Sequence, residues 1–331
     1  TSTPSTTTTV STTSTPSTTT TLSTTVTLST TTLTTTRTSS STTAAATTTT
    51  LSSITTTTTV AASTAPRAKK KSWGSPSLFC FAVVLTAKEP EMLTAQLGNA
   101  AGIFGCDEHK VLSYGVGMEL GDVLQTAEIP KLQSSTHQGA DLEKEELLEV
   151  FMRAWRLVLR DGRFRSHDWT VKVEPNTVFF PERLRERVRW AHPGSSGLFV
   201  LSCNRYGPPS MLRAVEALSR DAVLGYESGR DRCEEHRAEH KDLGENEFIQ
   251  WCLNLLGVGS TYYSDMVADD ACWPGSCDSA EKVAFHPFSS VGGYLRCWEQ
   301  ANDAALAKKW HLDTMTVQDD EIFGSGVDVG A

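Results

Sequence analysis

At 331 residues and a formal charge of −9, the chain is long enough to build a sizeable core, yet its composition divides sharply. Residues 1–60 contain 46 Ser or Thr and a single charged residue, Arg37, and residues 1–71 carry five cations and no anion. The remainder therefore holds −14, a charge that repels phosphate backbones and removes nucleic acid from the partners considered.

Residues 1–71 offer hydroxyls and scattered small apolar side chains, with nothing large to bury. The entropy of ordering them is not repaid, so they are expected to be a disordered, mucin-like stalk, with or without sugars on the hydroxyls. A short basic junction, Arg67 to Lys71, ends it, and residues 72–331 are expected to form one folded domain. No apolar run reaches the length of a membrane span; the longest, Leu78 to Leu85, has the character of a strand covered on both faces.

All eight cysteines lie in that domain, and none forms a Cys-x-x-Cys pair, which argues against ribbon-type zinc sites. Disulfides and an extracytoplasmic setting are expected. Cys272 and Cys277 are near enough in sequence to close a small loop around Trp273, and Cys252 is a candidate for a buried thiol.

After the first strand, residues 90–101 read as a helix stopped near Gly102. Residues 142–159 carry an apolar stripe through Leu148, Phe151, Trp155 and Val158, with acidic residues first and arginines last, as the helix dipole favours. A strand is expected at Trp169 to Val173, closed by a turn through Glu174, Pro175 and Asn176. Pro181 opens the next helix, Leu198 to Leu201 is a further strand, and Ser219 caps a helix over Asp221 to Tyr226. The charged stretch Arg230 to Lys241 reads as a solvated loop. A last amphipathic helix runs through Phe248, Trp251 and Leu255 to Gly257. Alternating strands and helices indicate an α/β sandwich with a parallel or mixed sheet, whose ligands gather beyond the carboxyl ends of the strands.

No glycine-rich nucleotide fingerprint, P-loop, zincin motif or Gly-x-Ser-x-Gly elbow is present. What remains is a strand followed by two oxygen-bearing side chains, Glu174 and Asn176, spaced to enter one pocket and suited to a hard divalent cation.

Three segments carry a family resemblance. Lys172–Val–Glu–Pro–Asn–Thr–Val–Phe–Phe180 resembles the Lys-x-Asp-Asp-Asp-x-Phe segment of the fringe-like β-1,3-glycosyltransferases. Val215 to Val223, with its Leu–Ser–Arg–Asp, is similar to their Val-Leu-Ser-Arg-Asp segment. Gly244–Glu–Asn–Glu–Phe–Ile–Gln–Trp–Cys–Leu–Asn–Leu–Leu–Gly–Val258 looks like their Glu-Asp-Val…Cys-Leu helix. Val–Ala–Phe–His–Pro–Phe288 is similar to a segment of dinoflagellate glycosyltransferase-like domains.

The resemblance implies a GT-A-like nucleotide-sugar fold over residues 72–331 and inverting transfer of a hexose or N-acetylhexosamine from a UDP-sugar to a glycan or glycoprotein. By it, Glu174, Asn176 and His286 hold Mn²⁺ or Mg²⁺, Lys172 and Asp168 touch the donor, and the base comes from Glu245, Asn246 or Glu247. It also implies the Golgi lumen or an extracellular location, with a membrane anchor preceding Thr1. Two substitutions stand out: Asn176 brings no charge to a metal, and Asn246 is an amide that cannot accept the acceptor's proton. The alternative is a catalytically degenerate member that binds carbohydrate or protein.

Overall fold

The computed structural model describes residues 74–132 and 142–323, with side chains to Trp310. The Thr/Ser-rich stretch expected to be a stalk lies outside the described residues, as does the basic junction.

A seven-stranded sheet forms the centre. In chain order its strands are β1 (Leu78–Val84), β2 (Glu108–Tyr114), β5 (Ala127–Ile129), β6 (Trp169–Val173), β8 (Leu198–Ser202), β9 (Val215–Ser219) and β10 (Gly259–Tyr263). They lie in the order β10-β8-β9-β6-β1-β2-β5, and only β9 runs antiparallel to its neighbours. Between β2 and β5 sits a small hairpin, β3 (Glu119–Leu120) and β4 (Leu124–Gln125). A second sheet of β7 (Val178–Phe179), β11 (Val267–Ala268) and β12 (Ala284–Phe285) lies beyond the carboxyl end of β6.

The apolar run at the start of the domain explains why β1 is central. Phe79, Phe81 and Val83 enter one hydrophobic cluster and Leu78, Cys80, Ala82 and Val84 enter another, so alternate side chains face opposite layers. The first layer contains α2 (Lys144–Asp161), α4 (Arg220–Glu235) and α5 (Glu245–Leu255); the second contains α1 (Glu89–Gly98) and α3 (Pro181–Val188). Trp155 is fully buried in the first layer, edge-on to Phe81 at 5.0 Å.

Local signals set the helix ends. Glu143 and Glu146 form a capping box at the start of α2, and Gly162 ends it with φ 76°. Ser219 finishes β9 and caps α4, its Oγ accepting from Ala222 N–H at 3.4 Å and from Leu198 N–H at 2.8 Å. Gly197, also at φ 76°, lies so close to α4 that a Cβ there would meet Ala222 N at 2.1 Å.

Three expectations need correction. The stretch Arg230 to Lys241 is not an open loop. The helix α4 continues to Glu235, a short 3-10 turn covers Arg237–His240, and Arg237 and Arg156 pair with Glu149 and Glu234. The mixed charges that suggested solvation are instead an ion-pair network between α4 and α2. The eight cysteines are all paired: Cys80–Cys106, Cys203–Cys272, Cys233–Cys252 and Cys277–Cys297. Cys252 is therefore no thiol, and Cys272 and Cys277 bond to different partners, because Cys272 faces the end of β8 while Cys277 faces the last helix. Finally, the expected membrane segment has no counterpart among the described residues, where no helix is long and apolar enough to cross a membrane.

That last helix, α6 (Val291–Phe323), has no counterpart in the sequence reading. Its first turns pack Tyr294, Cys297 and Ala301 onto Met92 of α1, Phe180 and Phe285. Beyond them the sequence has no apolar stripe to announce a helix.

Candidate functional site

The turn after β6 is fixed by its surroundings. Val173 ends the strand fully inside the core; Thr177 N–H closes the turn on Glu174 O at 3.0 Å. Gln96 of α1 donates to Pro175 O at 2.6 Å, and Phe288 N–H donates to Asn176 O at 3.0 Å. Proline and the strand end dictate the turn, and these two clasps set its direction.

Glu174 is buried, and both of its oxygens are occupied. Arg213 donates to Oε1 from Nε at 2.9 Å and Nη2 at 2.6 Å, and His286 Nε2 lies 3.0 Å from Oε2. The other ring nitrogen of His286, Nδ1, lies 2.6 Å from Asp269 Oδ2. Burial works against charging this imidazole, but the two carboxylates win and hold its pKa up at about 9. Burial likewise opposes the charge on Glu174, yet His286, Arg213 and Lys172 together bring its pKa down to about 2. At neutral pH the cluster is a chain of alternating charges: guanidinium, carboxylate, imidazolium, carboxylate.

Lys172, two residues before Glu174, lines the same small cavity from within the sheet. Its ammonium is buried between Glu216 of β9 at 2.6 Å and Glu245 at the start of α5, 4.2 Å above the Phe151 ring. Register explains the first contact, since Lys172 and Glu216 are directly paired across β6 and β9. One ammonium faces two buried carboxyl groups. Burial, then repulsion from Glu245, push the Glu216 pKa well up, because a second negative charge beside one ammonium is disfavoured there.

The three candidates for a base are all engaged. Glu245 is in that buried trio. Asn246 donates from Nδ2 to Met211 O at 2.7 Å. Glu247 reaches back from the first turn of α5 to accept from Gly244 N–H at 2.7 Å, a helix cap.

Asp168 sits at the other end of β6, six residues from Glu174 and so about 20 Å away along the strand. It accepts from Ser77 N–H and Oγ at 2.7 Å and pairs with Arg220 at 2.8 Å. The structure therefore brings Glu174 and His286 together, places Asn176 on the same turn and Lys172 beside the same small cavity, and separates Asp168 from them. Asp168, expected to touch the donor, precedes a parallel strand and so lies at its amino end, away from the carboxyl-end turn. Sequence reasoning missed Arg213 and Asp269, which lie outside every motif and meet Glu174 and His286 only through the fold.

The donor set does not fit a divalent metal. Each Glu174 oxygen already accepts from a cation, and the amide of Asn176 adds no charge. To ligate through Nε2, His286 must first lose its proton, which from a pKa of about 9 costs about 100-fold in affinity at pH 7. Among the described residues, no group of three or more His, Cys, Asp or Glu side chains is arranged to hold a metal ion.

Space points the same way. The cavity beside Glu174, lined also by Glu89, Lys172, Asn176 and Arg213, measures about 60 Å³. That admits a few waters, far short of the 300 Å³ or so at which small-ligand pockets begin. A larger cavity of about 420 Å³ opens at the amino end of β6, beside Pro76, Asp168, Ser219 and Arg220. Asp168 and Arg220 neutralise one another there.

No protein-family profile matches the sequence, and no curated protein does. Among solved structures, one similar fold is a glycosyltransferase involved in glycosylation of the major capsid of PBCV-1. It is 10% identical, with 68% of this chain and 100% of that chain covered and a TM-score of 0.41. The glycosyltransferase GlyE of Streptococcus pneumoniae TIGR4 is 15% identical, over 58% of this chain and 46% of that one, with a TM-score of 0.32. A putative glucose-1-phosphate thymidylyltransferase from Bacillus anthracis is 7% identical, over 57% and 87%, with a TM-score of 0.31. Likenesses this distant carry no argument about residues or activity. The domain is an α/β fold with a mixed, mostly parallel central sheet.

Proposed function

We propose that this chain is a glycosyltransferase-like domain that binds carbohydrate without carrying out metal-dependent transfer, in a secretory or extracellular setting. One observation carries the reading: every side chain in line for a metal or base role is either an amide or already committed inside the protein. Glu174 is clamped by Arg213 and His286, Glu245 neutralises Lys172, Asn246 holds Met211 O and Glu247 caps α5. Inverting transfer needs a carboxylate free to take the acceptor's proton and a counter-charge for the leaving UDP. None of Glu174, Glu245, Asn246 and Glu247 is left uncommitted for either role. The paired cysteines support an oxidising compartment.

Working transfer of a hexose or N-acetylhexosamine from a UDP-sugar draws on one feature. His286 faces Glu174 through one nitrogen and Asp269 through the other, as metal-bound histidines commonly face an outer carboxylate. Calorimetry of the full chain with UDP, with and without Mn²⁺, separates the two readings. The expected result is no Mn²⁺-dependent heat and no UDP released from UDP-glucose or UDP-N-acetylglucosamine. Saturable Mn²⁺-dependent UDP binding, or turnover abolished by EDTA, overturns the proposal in favour of the transferase.

A further inference from the structure

The loop leaving β8 and the loop leaving β11 are fastened to one another. Cys203 is bonded to Cys272, and Arg205 N–H donates to Ala271 O at 2.8 Å. The Trp273 backbone bridges to Ala268, and Asp269 Oδ1 accepts from Ala271 N–H at 2.7 Å while its other oxygen holds His286. The Cys277–Cys297 bond ties the far end of the second loop to α6.

On this braced pair of loops two large rings face water: Trp273 is 65% exposed and Tyr206 74% exposed. Both belong to loops at the carboxyl end of the sheet. Their backbones are fixed beforehand, so little conformational entropy is lost when something covers them.

The surroundings decide what that is. Arg205 lies 4.7 Å from the Tyr206 ring centre and donates to its hydroxyl, and Asn204 Oδ1 accepts from Tyr206 N–H at 3.0 Å. Flat apolar faces thus alternate with polar groups, a pattern unlike the continuous apolar stripe an amphipathic helix presents. A pyranose has the matching pattern, one apolar C–H face edged by hydroxyls, and aromatic side chains with polar tips suit such half-wet contacts.

We propose that Trp273 and Tyr206 form a stacking platform for a neutral pyranose glycan. This rests on the carbohydrate-binding reading above and adds a location to it. The test uses the full chain, with chitotriose, maltotriose and lacto-N-tetraose as probes and a mucin before and after chemical deglycosylation. Quenching of tryptophan fluorescence and calorimetry provide the readouts.

The expected result is saturable binding of at least one oligosaccharide, insensitive to EDTA and weakened roughly tenfold or more in Trp273→Ala and in Tyr206→Ala. Trp273→Phe retains part of the affinity, and all three variants keep the wild-type unfolding midpoint because the changed rings are exposed. Oligosaccharide binding unaltered in both alanine variants overturns the platform while leaving carbohydrate binding intact. No binding of any probe by the wild-type chain overturns both. Equal capture of the deglycosylated mucin overturns the platform in favour of a protein-docking face.

Discussion

His286 and Glu174 meet at 3.0 Å at the carboxyl end of the central sheet, and the imidazole is held from its other side by Asp269 at 2.6 Å. The histidine is thereby a cation at neutral pH, standing between two anions where the resemblance places a metal.

This pairing makes stability depend on pH with a definite sign. The folded pKa of His286, about 9, lies above its ordinary value, so its contribution is fully present below about pH 6.5 and is lost as pH rises through 9. A shift of that size corresponds to about 3 kcal/mol. Glu174 acts oppositely: its contribution is present above its ordinary pKa and is lost as pH falls towards 2. Urea midpoints measured from pH 6 to 10 are expected to fall for the wild type and to flatten in His286→Gln. A resonance assigned to the His286 imidazole that titrates near 6.5 in the wild type sinks this account.

The Asn246 amide makes a complementary prediction. Its N–H₂ donates to Met211 O, so Asn246→Asp, which introduces the acidic residue of the family it resembles in sequence, sets a carboxylate against a carbonyl oxygen. Leaving that acceptor unpaired and repelled is expected to cost about 1–3 kcal/mol in chemical denaturation. It is also expected to give no UDP-sugar hydrolysis, alone or combined with Glu174→Asp and Asn176→Asp. Activity appearing in the triple variant shows that the base position remains usable.

Much of the scaffold was legible because its signals are local. The β1 run, the stripe of α2, the Ser219 cap and Pro181 each announce an element within a few residues, and each stands where expected. Residues 230–241 misled because alternating charges look alike whether they face water or each other. Arg213 and Asp269 were invisible for a different reason: their roles depend on sheet order, which brings together chain segments distant in sequence. Cysteine connectivity was also hidden, since spacing alone favoured closing the short Cys272 to Cys277 loop.

Disulfide Cys203–Cys272 closes 69 residues of sequence and joins the two aromatic loops. On chain-entropy grounds its loss raises the freedom of the unfolded state by about 4 kcal/mol. The double change Cys203→Ala with Cys272→Ala is expected to lower stability by up to this amount. Alkylation under denaturing conditions without reductant is expected to label no cysteine in the wild type, and labelling of any pair contradicts the assignment.

The buried trio Lys172, Glu216 and Glu245 gives the sharpest contrast between neighbouring substitutions. The raised pKa of Glu216 favours its neutral form, so Glu216→Gln, a neutral amide of similar shape, is expected to be close to neutral in stability at pH 7. Because its folded pKa is raised, Glu216 favours folding below its ordinary pKa, and that contribution is lost as pH rises through the folded value. The glutamine variant cannot ionise, so its advantage over wild type is expected to grow towards alkaline pH. Removing the ammonium is different. Lys172→Met keeps most of the volume over Phe151 but leaves two buried carboxyl groups without their cation, at a cost of about 3–5 kcal/mol. Pairing Lys172→Met with Glu245→Gln removes the charge that needed neutralising and is expected to recover a large part of that loss. A double variant no more stable than Lys172→Met alone refutes the view that Glu245 serves to balance the lysine.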